Sequence, residues 1–208
     1  EYNNYDFLNK LDTQAREFGG RVHYLIGNHE LMNVLGNFSY VHNKHMSSTG
    51  VQRRRELFSP GGKMANMLAC RSYGILYING WIFCHGGLLP HHIKHRDITW
   101  INTLVKDILK GVKNVNKLKP HERDFIEGNN SFLWTRAYSN NPNKCELLNT
   151  TLSAMSAKGM VVGHTPHDNI TGVCKNKLYF ADIGLSRSFS NDKVQLLHIK
   201  NGVAQIIK

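Results

Sequence analysis

Three times along this chain a short apolar run stops abruptly in glycine beside asparagine or histidine. Residues 21–26 (RVHYLI) lead into Gly27-Asn28-His29-Glu30. Residues 81–84 (WIFC) lead into His85-Gly86-Gly87. Residues 160–162 (MVV) lead into Gly163-His164-Thr165-Pro166-His167. Runs this short, bounded by glycine and rich in β-branched and aromatic residues, predict buried strands. A polar loop at the C-terminal end of a buried strand is where α/β folds place their ligands.

The intervening stretches read as follows. Phe7, Leu8, Leu11, Ala15 and Phe18 recur at helical spacing over 5–18, and Gly19-Gly20 ends that helix. Residues 36–56 are polar, contain histidines and close on Arg53-Arg54-Arg55; they predict a surface excursion with a solvated basic face. A helix is expected over 62–71. A hairpin follows, with strands 74–78 and 81–85 turning at Asn79-Gly80. Residues 90–130 are helical and basic around 98–109, then irregular, and predict a second surface or lid excursion. Another helix is expected over 148–157, and two hairpins turn at Lys175-Asn176 and Asn201-Gly202. No repeat, low-complexity linker or second core is visible, so 1–208 reads as one domain of α/β class.

Composition narrows the picture only slightly. A hydrophobic fraction of 41% over 208 residues supports an ordinary core and excludes global disorder. No apolar run reaches the roughly 18 residues of a membrane helix, and no leader pattern opens the chain. Four cysteines with no CxxC pair predict no disulfide framework and a reducing, intracellular, cytoplasmic setting. The net charge of +11 favours polyanionic partners, though a solvated Lys-rich surface accounts for it equally well. The chain opens on Glu1, directly in a helical pattern, as a fragment would.

Asn28, His85 and His164 each stand just past an apolar strand. If those strands are neighbours in one sheet, the three side chains converge on one edge. An amide oxygen and two imidazoles suit a divalent ion of borderline hardness, such as Mn, Fe or Zn. His29 follows Asn28 on a tight loop, so it points elsewhere; beside a bound phosphate it fits a general acid. Cys84 reads as a buried strand residue. His42, His45, His91, His92 and His95 read as surface residues.

The stretches GNHE at 27–30, CHGGL at 84–88 and VGHT at 162–165 resemble, in order and spacing, the later motifs of the calcineurin-like metallophosphoesterases. The phosphoprotein-phosphatase branch, and within it the Shewanella-like phosphatases, is the nearer likeness. Residues 20–33 (GRVHYLIGNHELMN), 133–136 (LWTR) and 182–184 (DIG) support it. The resemblance implies a β-sandwich flanked by helices, with two divalent metal ions at the strand ends. It implies Asn28, His85 and His164 as ligands of one metal, His29 as proton donor and Arg136 as the phosphate grip. A guanidinium suits that last role because its planar fork pairs two phosphate oxygens. Asp182 is a candidate for orienting a ligand histidine, and His167 for a structural or substrate-edge role.

The implied activity is metal-dependent phosphoester hydrolysis, most simply of phosphoserine or phosphothreonine in proteins. A metal-bound hydroxide would attack phosphorus. Nucleotide, dinucleoside polyphosphate or nucleic-acid hydrolysis is the alternative, and a catalytically inactive binding module is another. Two departures from the family pattern matter. The GDxHG and GDxxDRG motifs, which carry the other metal's ligands, do not occur in this sequence. The fold is therefore expected to lack its first strand–helix units, roughly 60 residues, with at most one metal site encoded and little hydrolysis by this chain alone. Ala137 also stands where the family has Gly.

Overall fold

The computed structural model describes residues 2–94, 96–186, 189 and 194–207. His95, expected at the surface, lies outside the described residues. Helix α1 (Tyr2–Glu17) leads to the two-residue strand β1 (Tyr24–Leu25) and helix α2 (Asn28–Val34). Helices α3 (Asn43–Thr49), α4 (Val51–Phe58) and α5 (Lys63–Arg71) follow. Strands β2 (Ser72–Tyr73), β3 (Ile75–Ile78) and β4 (Trp81–Cys84) come next. The middle of the chain is helical: α6 (Pro90–Ile93), α7 (Ile98–Leu109), a 3-10 turn (Val115–Lys117), α8 (Pro120–Ile126), α9 (Ala137–Asn140) and α10 (Lys144–Met155). Strands β5 (Gly159–Val162), β6 (Thr171–Val173), β7 (Leu178–Phe180), β8 (Leu196–Lys200) and β9 (Val203–Ile207) end it.

The central sheet has the order β3-β4-β5-β7-β6. Its middle three strands are parallel, and their register puts Cys84, Val162 and Phe180 in one row. The loops after β4, β5 and β7 therefore leave the sheet at the same level. Side chains alternate across it with period 2. Ile82, Cys84, Met160, Val162, Leu178 and Phe180 join the helices in the main core. Trp81, Phe83, Val161 and Tyr179 face the other way and meet Leu197, Ile199, Ala204 and Ile206 of the β8–β9 hairpin. The structure is thus a mixed sheet with helices on one face. The expected second sheet of the sandwich is represented on the other face by this hairpin.

The strand expected over 21–26 contracts to two ladder residues, since its partner among the described residues is the equally short β2. Ile26 N–H continues the pairing to the Tyr73 carbonyl. Asp12 fixes the approach to it. Its carboxylate accepts from Val22 N–H, Arg16 and Arg71, and these bonds, the Val22 one foremost, hold it down to about 2.

Four expectations need correction. The 36–56 stretch lies at the surface folded into α3 and α4, but its basic run is not uniformly solvated: Arg54 is buried. The 90–130 stretch contributes Ile101, Leu104, Val105, Ile108 and Leu109 to the core, the apolar stripe of α7, with Asp97 capping its start at Trp100 N–H. His92 is fully buried: Nδ1 accepts from Leu89 N–H, and Nε2 donates to the Asn130 carbonyl. One disulfide joins Cys145 to Cys174, because the β6–β7 turn comes down beside the first turn of α10. The cysteine pattern therefore gives no support to a reducing compartment. Among the described residues no helix is long and apolar enough to cross a membrane.

Candidate active site

The Gly27-Asn28 loop, the His85 loop and the His164 loop meet at the C-terminal edge of the sheet. His85 Nε2 lies 2.7 Å from Asn28 Oδ1 and 3.1 Å from His164 Nδ1. Each loop is shaped for that meeting. Gly27 starts α2 with its N–H on the Glu30 carboxylate, and a Cβ there would stand 3.0 Å from His85 Cε1. Gly86 donates its N–H to the Phe132 carbonyl, and a Cβ would meet the backbone of Phe132 and Thr135 at 2.9–3.1 Å. His164 occupies the centre of a three-residue turn at φ 66°, closed by Thr165 N–H on the Gly163 carbonyl. A non-glycine residue held there costs about 1 kcal/mol or more, and such strain clusters at functional sites.

Electrostatics keep the imidazoles neutral. His85 is pushed down to about 3, first by burial, then by His164, His29 and Arg136. His164 is lowered by burial and by Arg136; a hydrogen bond to the Trp134 backbone and the Asp182 charge oppose this. Neutral imidazoles keep lone pairs for a cation, and an amide oxygen completes the set, so the donor chemistry fits a divalent ion. Among the described residues no three His, Cys, Asp or Glu side chains form such a cluster; this trio depends on an amide.

The neighbours divide by what they touch. Arg136 is exposed beside the trio, its Nη1 donating to Thr165 Oγ1 at 2.7 Å and to the His164 carbonyl at 3.2 Å. Both bonds use one nitrogen of a five-donor fork, which keeps donors for an anion. Trp134 packs edge-on to His164 at 5.9 Å. His29 is exposed, turned from Asn28, and stacked on Tyr40 at 4.6 Å with rings 9° from parallel. Ala137 begins α9, and its N–H donates to Thr135 Oγ1. Asp182 accepts from Gly184 N–H, so it bears on His164 by charge. His167 stacks on Phe180 at 4.6 Å, with its Nε2 lacking a partner among the described residues. Cys84 is buried, which raises its thiol to about 12.

Sequence reasoning missed Tyr40, Asn33 and Arg54 around His29, and the anchoring of Arg136 on Thr165. Thr165 carried a signal through its place beside His164. Asn33 closes the 20–33 stretch but carried no signal of its own, and Tyr40 and Arg54 sit at no periodic or motif position.

Comparison with known proteins bears on this geometry. No family model matches the chain. An uncharacterised protein of Acanthamoeba polyphaga mimivirus is 31% identical over 236 aligned positions, covering 93% of this chain and 94% of that protein. Shewanella-like protein phosphatase 2 of Arabidopsis thaliana is 26% identical, over 93% of this chain and 61% of its own length. The crystal structure of the cold-active protein-tyrosine phosphatase of a psychrophilic Shewanella species superposes with a TM-score of 0.84 and 27% identity. It covers 96% of this chain and 60% of that one.

The chain belongs to a phosphatase family related to the Shewanella-like phosphatases. It spans about three fifths of the two named phosphatases. Its mixed sheet with flanking helices is the fold it shares with the Shewanella enzyme.

Proposed function

We propose that this protein is a metal-dependent phosphoprotein phosphatase acting on phosphoserine and phosphothreonine. The carrying observation is the convergence of Asn28 Oδ1, His85 Nε2 and His164 Nδ1 beside the exposed Arg136. Asn28, His85 and His164 would hold one divalent ion of the Mn, Fe or Zn kind. When bound, a pair of such ions supplies Lewis acidity at the phosphoryl oxygens and an activated water.

The chain's own residues do the rest. Arg136, fixed through Nη1, offers its remaining N–H donors to the phosphate and neutralises its charge. His85 and His164 stay neutral, so they present lone pairs rather than protons. His29, exposed and near His85 and His164, would donate the proton to the leaving oxygen. An alkoxide leaving from serine or threonine needs that proton; a phenoxide leaving from tyrosine needs it less. The Shewanella relative is described as a tyrosine phosphatase, and that comparison sets the test.

Phosphate release by the full-length protein should be measured on matched phosphoserine, phosphothreonine and phosphotyrosine peptides, with Mn and with a chelator. The proposal expects turnover on the first two that the chelator abolishes and Mn restores. Turnover indifferent to chelation would overturn it. The basic net charge favours a second reading, a nucleotide or nucleic-acid phosphoesterase; activity rising with polyanion length and lost at high salt would select it.

A further inference from the structure

A single buried cation organises both sides of His29. Arg54 is fully buried, and its Nε donates to Asn33 Oδ1 at 2.7 Å. The same amide's Nδ2 donates to the His29 carbonyl at 2.7 Å. A guanidinium is donor-only, so it compels the Asn33 oxygen to face it. The amide nitrogen is thereby left for His29. Were the amide to flip, its oxygen would oppose the His29 carbonyl and the bond would be lost. The guanidinium also lies over Phe58 at 4.7 Å and Phe38 at 5.7 Å. Phe38 is two residues before Tyr40, whose ring covers His29. The first turn of α2 and the segment bearing Tyr40 are thus referenced to one group.

We propose that Arg54 is a positioning residue for His29, acting through the Asn33 amide on its backbone and through Phe38 on the segment that places Tyr40 against its ring. This rests on the reading of His29 as the proton donor. The 36–58 region is then part of the reaction apparatus, and its basic run contains one arginine that faces inward for that purpose. The neighbours Arg53 and Arg55 are exposed, in keeping with a solvated face.

The test uses the full chain with 13C-labelled histidine, the His29 ring signal being assigned by His29→Gln. Stacking under Tyr40 displaces that signal upfield. Arg54→Met should move it toward the value of an exposed histidine. It should also lower kcat on alkyl phosphates by on the order of 10²-fold, as misplacement of a reacting group does, with KM little changed. Asn33→Asp retains the acceptor for Arg54 and loses only the donor to His29, so it should reproduce both effects even if Arg54→Met fails to fold. Tyr40→Leu, at an exposed position, should remove the upfield shift, and Tyr40→Phe should retain it. A His29 signal unmoved in Asn33→Asp overturns the proposal. A signal that moves while alkyl and aryl turnover fall equally leaves the positioning intact and overturns the acid role of His29.

Discussion

His85 Nε2 and Asn28 Oδ1, 57 positions apart in sequence, stand 2.7 Å from each other, and His164 Nδ1 lies 3.1 Å from the same His85 nitrogen. Three donors this close, from three separate loops, are arranged for something placed among them. His85→Ala should therefore weaken Mn binding by more than the roughly 10–100-fold typical of losing a group that merely orients a ligand. Calorimetric titration with Mn checks this, and unchanged affinity would remove His85 from the ion's ligands.

His29→Asn should leave Mn affinity intact and cut turnover. General acid catalysis is worth typically 10²–10⁴-fold, so alkyl phosphates should lose about that much and aryl phosphates far less. Equal losses on both substrate classes would refute a proton-donor role.

Gly86→Ala should destabilise the fold and blunt the site together. The added Cβ meets backbone atoms of Phe132 and Thr135, which cannot rotate aside. Overpacking of this kind costs about 1–3 kcal/mol, and each kcal/mol lowers Tm by roughly 2–4 °C in a chain of this size. A thermal melt reads the first effect. Arg136 lies next to Thr135, so weaker phosphate binding should accompany it.

Acid should weaken the protein through His92. Burial, and then the neighbouring His91, hold its imidazole down to about 3. Its Nδ1 cannot take a proton without losing the Leu89 N–H bond. The unfolded chain regains an ordinary histidine near 6.5 and so binds the extra proton first. The stability is complete above pH 6.5 and is lost progressively as pH falls toward 3. At pH 5 the loss is about 2 kcal/mol. His92→Gln can accept and donate in the same places without titrating. Its denaturation midpoint should fall less steeply between pH 6.5 and 5 than that of the parent chain, and an equal slope would exclude His92.

Much of this was legible in sequence because the informative features are local. Asn79-Gly80 and Asn201-Gly202 turn their hairpins because both residues adopt positive φ there, and such dipeptides tolerate it. The strand ends at Cys84 and Val162 show themselves because a buried parallel strand is uniformly apolar and its exit is not. What stayed hidden depends on tertiary contact. Nothing in Arg53-Arg54-Arg55 itself distinguishes the middle arginine, since its burial is set by Phe38 and Asn33 arriving from elsewhere, together with Phe58 one turn along the same helix. His92 is concealed likewise, because its second partner is the Asn130 carbonyl, 38 positions away. The Cys145–Cys174 bridge needs the β6–β7 turn and α10 to be placed before it can be seen.

The two walls of the site differ in the ladder behind them. His164 extends from β5, all four of whose residues are buried and which pairs on both sides. Asn28 extends from β1, which has two ladder residues and one partner. Amide protons under His164 should then exchange only with deep opening of the domain, while those around residues 24–28 should exchange through shallow local fraying. A cation or phosphate seated between the loops would tether the loose wall to the stiff one. Occupancy would be recorded as slowed exchange on the Asn28 side alone, a direct readout of binding that needs no turnover.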